Sequence, residues 1–341
     1  MELNERKQKI LTAVIEAYIR TGEPVGSKML TGLLDHAVSS ATIRNEMAEL
    51  AAMGYLEQPH TSAGRIPTAP AFRLYIDKLM AREPLAGDMR QDIDQLLESA
   101  AHDPERLIED ASNALAAVTG CAAVSTTPSE RGASVRRLEL MRISARAAAL
   151  VLMTSSGMIR NRICRFDRPL EEEQLVRTIR FLSDTFVGEE LTDITLPRIQ
   201  GLMPALGGDA LACAPLLVGL LELAQESAEA EILLAGQLNL LQHPDYALDK
   251  ARSLLGFLSR REQLATMLTA YSGGLRVVLG NESPQPELEG SSIILTRYRI
   301  GNGGGAIGII GPLRMDYAAT IPRIEYLAQS LGRLLSDLME S

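Results

Sequence analysis

VGSKMLTGLLDHAVSSATIRNEMAELAAMG, residues 25–54, reads as two short helices joined by a tight turn. Ser27 is placed to cap the first, whose apolar residues Met29, Leu30, Leu33 and Leu34 recur at helical spacing. Asp35-His36-Ala37 breaks that pattern, and Ser39 starts the second helix by accepting from a free N–H of its first turn. Val38 before this cap and Ile43 inside the helix fit a hydrophobic staple, which sets the angle at which the chain arrives. Ile43, Met47 and Leu50 form the stripe to be buried, and Gly54 marks the stop. Ser40, Thr42, Arg44 and Asn45 are left facing away from that stripe. Short hydrogen-bonding side chains and a guanidinium at a helix N-terminal end are what base-edge readout in a major groove requires.

Two flanking features extend the pattern. Asn4 caps a preceding helix to about Arg20, with Leu11, Val14, Ile15 and Tyr18 inward, and Thr21-Gly22-Glu23-Pro24 ends it. After the pair, YLEQPHTSAGRIPT (55–68) reads as a wing: a strand from Tyr55 to Gln58, turn chemistry over His60-Thr61-Ser62-Ala63-Gly64, and a return from Arg65-Ile66. Such a loop carries Arg65 to neighbouring phosphates or the minor groove, and offers His60 and the hydroxyls of Thr61 and Ser62 to phosphate oxygens. The hydroxyls serve equally well to satisfy the turn's own backbone, and His60 to pack; Arg65 has no acidic neighbour in sequence. In this reading Thr42, Arg44 and Asn45 meet bases, and Ser27, Lys28, Ser39 and Ser40 meet phosphates.

VGSK (25–28), SSATIRNEM (39–47), PHTSAGRIP (59–67) and GPLRMDY (311–317) closely resemble the heat-inducible transcription repressor HrcA family. The resemblance covers essentially the whole chain, and these motifs are long and specific. It implies a cytoplasmic homodimer that represses heat-shock chaperone operons by binding double-stranded DNA at an inverted repeat, the CIRCE operator. It implies no enzymatic step, and a GroE chaperonin that promotes the DNA-binding form. For the fold it implies an α+β protein of three parts: a winged helix-turn-helix domain, a GAF-like α/β domain and an inserted dimerising domain.

The chain has 341 residues, enough for two or three domains, and a formal net charge of −9. That balance argues against a strongly basic nucleic-acid binder, but its distribution matters more. Residues 1–80 hold nine Lys/Arg against nine Asp/Glu, so the whole acidic excess lies downstream. A neutral reading head grips DNA through a local cluster only, and one copy grips poorly. Two copies held at fixed separation would compensate, with the apolar segments of 135–228, including Leu211, Leu216, Leu217 and Leu220, as the expected dimer surface. Cys121, Cys164 and Cys213 are far apart and read as reduced core residues; none of the four histidines stands at metal-ligand spacing, so neither metal nor cofactor is expected. Charges from Glu2 onward leave no apolar signal segment, and the most apolar stretch, Leu211–Ala224, contains Pro215 and Glu222 and is short for a membrane span.

Downstream, Thr68–Met80 reads as a helix closing a DNA-binding domain over residues 1–82, and 83–103 as a helical connector. An apolar strand at 121–126 finds further strands of its kind only after residue 230 (231–234, 275–280, 292–298 and 306–310), with helices 246–258 and 260–271 between them. The intervening stretch begins with a three-strand meander, 137–143, 147–154 and 158–166, and continues as helix. This pattern gives a GAF-like domain over 104–134 and 229–341, interrupted by an insert at 135–228.

Three constellations invite other chemistry. Gly301-Asn302-Gly303-Gly304-Gly305-Ala306 suggests a phosphate cradle, but it lies between two strands, where glycines make a hairpin turn. Glu171-Glu172-Glu173 follows Pro169 and reads as a helix N-terminus that complements the dipole. In Gly311–Tyr317, Arg314 and Asp316 could pair across a turn, and no nucleophile with an adjacent base accompanies them. An enzyme would need a clustered catalytic set, and a small-molecule sensor an enclosed cavity in the GAF-like domain.

Overall fold

Asn4 Oδ1 accepts from the Lys7 N–H at 2.9 Å and starts α1 (Glu5–Thr21), which buries Ile10, Leu11, Val14 and Ile15. The computed structural model describes residues 3–34, 39–60, 63–82, 84–98, 103–128, 132–155, 157–228, 230–270, 273–300 and 303–340. α2 (Ser27–Thr31) and α3 (Ser40–Ala52) follow, then the antiparallel pair β1 (Leu56–Glu57) and β2 (Ile66–Pro67), and an isolated bridge ties Val25, before α2, to Arg65, before β2. α4 (Ala69–Leu74) has Pro70 in its first turn, where the missing N–H costs little, and runs into a π-helical turn over Tyr75–Leu79. Two expectations for α2 need correction. It begins after Gly26 with no side-chain cap, and the Ser27 hydroxyl instead lies 3.1 Å from that of Ser40. Of the four apolar residues expected on it, Leu33 and Leu34 lie beyond its end, and only Leu30 is fully buried, while Met29 and Leu33 face out. A helix of five residues makes little more than one turn and presents one residue to a core. Val38 and the turn Asp35–Ala37 lie outside the described residues.

The chain continues through α5 (Gly87–Glu98), α6 (Pro104–Thr119) and β3 (Ala122–Thr126). It then leaves for β4 (Val135–Ser144), β5 (Ala147–Thr154), β6 (Ile159–Arg165), α7 (Glu172–Phe186), α8 (Leu196–Leu202) and α9 (Ala210–Ala228). It returns as β7 (Ile232–Ala235), α10 (Asn239–Gln242), α11 (Leu248–Leu258), α12 (Arg261–Ala270), β8 (Arg276–Leu279), β9 (Ser291–Ile300), β10 (Gly303–Pro312) and α13 (Tyr317–Glu340). The returning strands join β3 in an antiparallel sheet of order β7-β3-β10-β9-β8.

Strand alternation divides this sheet into two apolar faces. Ala123, Ile294, Ile307 and Ile309 pack with α6 and α13, whereas Ala122, Val124, Ile293, Leu295 and Ile310 pack with α10, α11 and α12. A sheet covered on both sides is the expected GAF-like architecture. The winged-helix core is continuous with the α6/α13 layer, where the rings of Phe72 and Tyr317 lie 6.0 Å apart. α5, anticipated as a connector, is docked on the same layer because Ile93 and Leu97 are fully buried. Its Asp94 accepts from Tyr326 at 2.7 Å and Ser330 at 3.1 Å.

β4, β5 and β6 form a separate three-stranded antiparallel sheet with its own core. Leu138, Leu150, Leu152 and Cys164 face α7 and α9, which contribute Leu182, Phe186, Leu216, Leu217 and Leu220. The expected dimer surface therefore needs revision. Leu216, Leu217 and Leu220 are interior, and only Leu211, at 84% exposure, is available. α9 is long and apolar enough to cross a membrane by length and composition, but it is the core helix of this unit. Among the described residues the sheet's outer face is what remains open: rows Met141–Ala149–Ile163, Glu139–Val151–Asn161 and Arg137–Met153–Ile159 cross it, with Ile143 beyond them. Met141 and Ile163 are each 58% exposed there.

The three side constellations find structural roles. Glu171 caps α7 in a reciprocal arrangement with Gln174, so the glutamate run starts a helix. Gly303 pairs with Ile300 in the β9–β10 hairpin; Gly301 and Asn302 lie outside the described residues. Arg314 does not pair with Asp316, which instead accepts from Ala319 N–H at the start of α13; Arg314 reaches Asp245. Cys121, Cys164 and Cys213 are buried free thiols, as their isolation in the sequence suggested.

Candidate nucleic-acid interface

The presentation of α3 is settled at both ends and along one flank. Ser39 Oγ accepts from Thr42 N–H at 3.2 Å and lies 2.9 Å from the Thr42 hydroxyl. At the other end Gly54 N–H donates to Ala51 and Tyr55 N–H to Leu50, both at 3.0 Å, the paired bonds that close a helix C-terminus. Ile43, Met47 and Leu50 are buried, as their spacing required. Lys7 of α1 holds Glu46 and Glu49, each at 2.8 Å, and Arg6 lies 3.6 Å from Glu46. Hydrogen bonds to Glu46 and then Glu49 keep the Lys7 ammonium above its ordinary pKa. The acids of α3 are thus turned toward α1 and neutralised there, away from the exposed face.

With 3.6 residues per turn, Asn45 stands opposite the buried stripe, and Arg44 and Ser40 lie on the α2 flank. Arg44, Asn45 and Lys28 are exposed, and among the described residues their side chains form no hydrogen bond or ion pair. The Ser27–Ser40 contact brings the start of α2 against the start of α3, so four hydroxyls (Ser27, Ser39, Ser40 and Thr42) gather at one end. Two exposed residues went unnoticed in the sequence. Ala41 and Ala48 flank Asn45 on the outward face, and their small side chains permit close approach and contact with a thymine methyl. Alanine has no chemical signature, and only its phase relative to Ile43, Met47 and Leu50 could have marked these positions.

The wing is rooted beside this helix. Val25 and Arg65 exchange both backbone hydrogen bonds at 2.9 Å, joining the stretch before α2 to the returning strand. Gly64 permits that approach: a Cβ there would stand 2.5 Å from the Val25 carbonyl oxygen. Gln58 Nε2 donates to Ala63 O at 3.1 Å, and Ala63 N–H to His60 O at 2.9 Å, which shapes the loop. Thr68 Oγ1 bonds the carbonyls of Gly54 and Tyr55 and ties the wing's exit to the end of α3. His60 is exposed and Arg65 half-buried; Thr61 and Ser62 lie outside the described residues. The surface so assembled offers hydroxyl and amide donors and acceptors with cations at its edges, in the arrangement of a groove reader flanked by a wing.

Comparison with known proteins agrees with this geometry. Residues 2–79 match a family model described as a winged helix-turn-helix transcription repressor, HrcA DNA-binding, and residues 105–321 match the HrcA protein C terminal domain. The heat-inducible transcription repressor HrcA of Desulforudis audaxviator strain MP104C is 33% identical over 343 residues, covering 99% of each chain. Its counterpart from Clostridium botulinum strain Eklund 17B is 33% identical over 341 residues, again covering 99% of each. A crystal structure described as that of a hypothetical protein matches with a TM-score of 0.69 at 25% identity, covering 99% of this chain and 100% of the other.

Proposed function

This chain belongs to the HrcA family of heat-inducible, DNA-binding transcription repressors, and from that premise we propose that it binds an inverted repeat of the CIRCE type as a homodimer. The observation that carries the reading is the outward face of α3, where Arg44 and Asn45 are exposed and, among the described residues, uncommitted on a helix held at both ends. In this reading Thr42, Arg44 and Asn45 meet base edges, with Ala41 and Ala48 admitting close approach. Ser27, Lys28, Ser39 and Ser40 contact phosphates, and Arg65, with His60, Thr61 and Ser62, holds the flanking backbone. The role is non-enzymatic and belongs in the cytoplasm, where the DNA is.

The dimer forms through the outer face of β4, β5 and β6. Met141, Ile143, Ile159 and Ile163 are exposed there on a sheet whose other side is already covered. A second copy supplies an equally apolar face related by a two-fold axis, which is the symmetry an inverted repeat requires. A GroE chaperonin modulates the repressor, as the family resemblance suggests. Footprinting upstream of chaperone operons, with and without added chaperonin, tests the whole reading. Protection of two symmetric half-sites, strengthened by chaperonin, is the expected result. Protection of a single unsymmetric site would overturn the dimeric part, and indifference to chaperonin would remove the modulator.

A further inference from the structure

Arg314 lies in GPLRMDY (311–317), a motif that neither the reading surface nor the dimer face accounts for. Its guanidinium donates from Nε to Asp245 Oδ2 at 2.8 Å and from Nη2 to Asp245 Oδ1 at 2.5 Å. Nη1 donates to the Ile19 carbonyl at 3.0 Å, in the last turn of α1. The same guanidinium lies 5.9 Å from the centre of the Tyr18 ring. It also fills the space beside Gly22, where a Cβ would stand 3.0 Å from it. A GAF-like-domain arginine, oriented by a GAF-like-domain carboxylate, thus grips the end of the first winged-helix segment.

A second contact crosses the same boundary in the opposite direction. Arg73 of α4 donates from Nε and Nη2 to the two carboxylate oxygens of Glu282, at 2.8 and 2.6 Å. Nη2 also donates to the Val277 carbonyl at 2.8 Å, on β8, whose outer edge no strand pairs among the described residues. Glu282 in turn accepts from Leu279 N–H at 3.0 Å, so both ends of this pair are bonded to the edge strand.

Each pair is a two-point fork with a planar guanidinium, which restricts rotation as well as distance. One such joint leaves a domain free to swivel about it. Two joints at different places, with the shared apolar core and its Phe72–Tyr317 contact, remove that freedom. Orientation matters here because a rigid pair of reading heads reaches two half-sites only at one separation and phase, whereas loosely held heads reach many. We propose that the Arg314–Asp245 and Arg73–Glu282 pairs are positioning residues for DNA recognition, and that they determine which half-site spacing the repressor accepts. This inference rests on the dimeric reading of an inverted repeat given above.

The test uses the full-length protein and operators whose half-sites are moved apart one base pair at a time through a full helical turn. The variants are Arg73→Gln with Arg314→Gln, and the near-isosteric Asp245→Asn with Glu282→Gln. The wild type should show a sharp optimum and lose roughly 10²-fold in affinity half a turn away, a loss comparable to the gain from two-site binding. In the variants the optimum should fall and the half-turn loss shrink to less than roughly tenfold, with binding to a single isolated half-site unchanged. The single half-site measurement identifies variants that still fold; if the glutamine pair fails it, the near-isosteric pair decides. Variants that bind a single half-site normally yet keep the wild-type spacing profile would overturn the struts alone. A wild-type profile that is flat in spacing would overturn the dimeric reading and the struts with it.

Discussion

Arg44 and Asn45 are adjacent in sequence but serve different parts of one exposed face, Asn45 at its centre and Arg44 on the α2 flank. Arginine suits the two acceptors of guanine and asparagine the acceptor and donor of adenine, and a good bidentate contact is worth about 1–3 kcal/mol against the wrong base. Arg44→Ala and Asn45→Ala should therefore lose discrimination more than overall attraction. Affinities for the operator and its single-base variants check this; equal weakening on specific and random DNA would refute base readout. Arg65 stands beside the wing turn and should act on phosphate. Arg65→Ala should weaken binding to all sequences and reduce the slope of log affinity against log salt by about one unit. At this scale the sequence was informative where chemistry is distinctive. It could not show that Thr42 shares its hydroxyl with the Ser39 cap, or that Ala41 and Ala48 border Asn45.

Among elements, α3 was the most legible because three signals agree: the Ser39 cap, the Ile43–Met47–Leu50 stripe and the terminal Gly54. Ser39→Ala removes the acceptor for Thr42 N–H and should destabilise the protein by about 0.5–2 kcal/mol, whereas Ser39→Asp should retain most of that. Urea unfolding of the three proteins measures it, and equal midpoints would show that the helix start is held by other contacts. α2 was misread for the converse reason. Its four apolar residues fit a longer amphipathic helix, but Gly32 follows after five residues, and Met29 and Leu33 are left outside. The same limit applies to α5, whose polar composition suggested a spacer although two buried residues, Ile93 and Leu97, suffice to dock it.

For the whole molecule, the decisive question is what covers the outer face of the three-stranded sheet. Met141→Glu with Ile163→Glu places two carboxylates in the Met141–Ala149–Ile163 row of that face and should yield a monomer by sedimentation. Affinity for the full operator should then fall by roughly 10²–10⁴, the contribution of the second docking, while single half-site binding persists. Leu211→Glu, on a still more exposed leucine of α9, should leave the dimer intact. A double variant that still sediments as a dimer would place the interface elsewhere.

The sequence by itself determined α3 with its cap and buried stripe, the strand pair that follows it, and the interruption of one set of strands by another. The first two are local, set by period, capping chemistry and turn residues, whereas the third was read from a strand at 121–126 and others after residue 230. Tertiary structure alone decided which apolar residues of the insert became core and which surface. α9 is apolar on nearly every side, so periodicity could not say which of its leucines face the sheet. It also decided the partners of Arg73 and Arg314, which lie 209 and 69 residues away in Glu282 and Asp245. A guanidinium's partner is chosen by where the chain brings a carboxylate, and no spacing in the sequence records that distance.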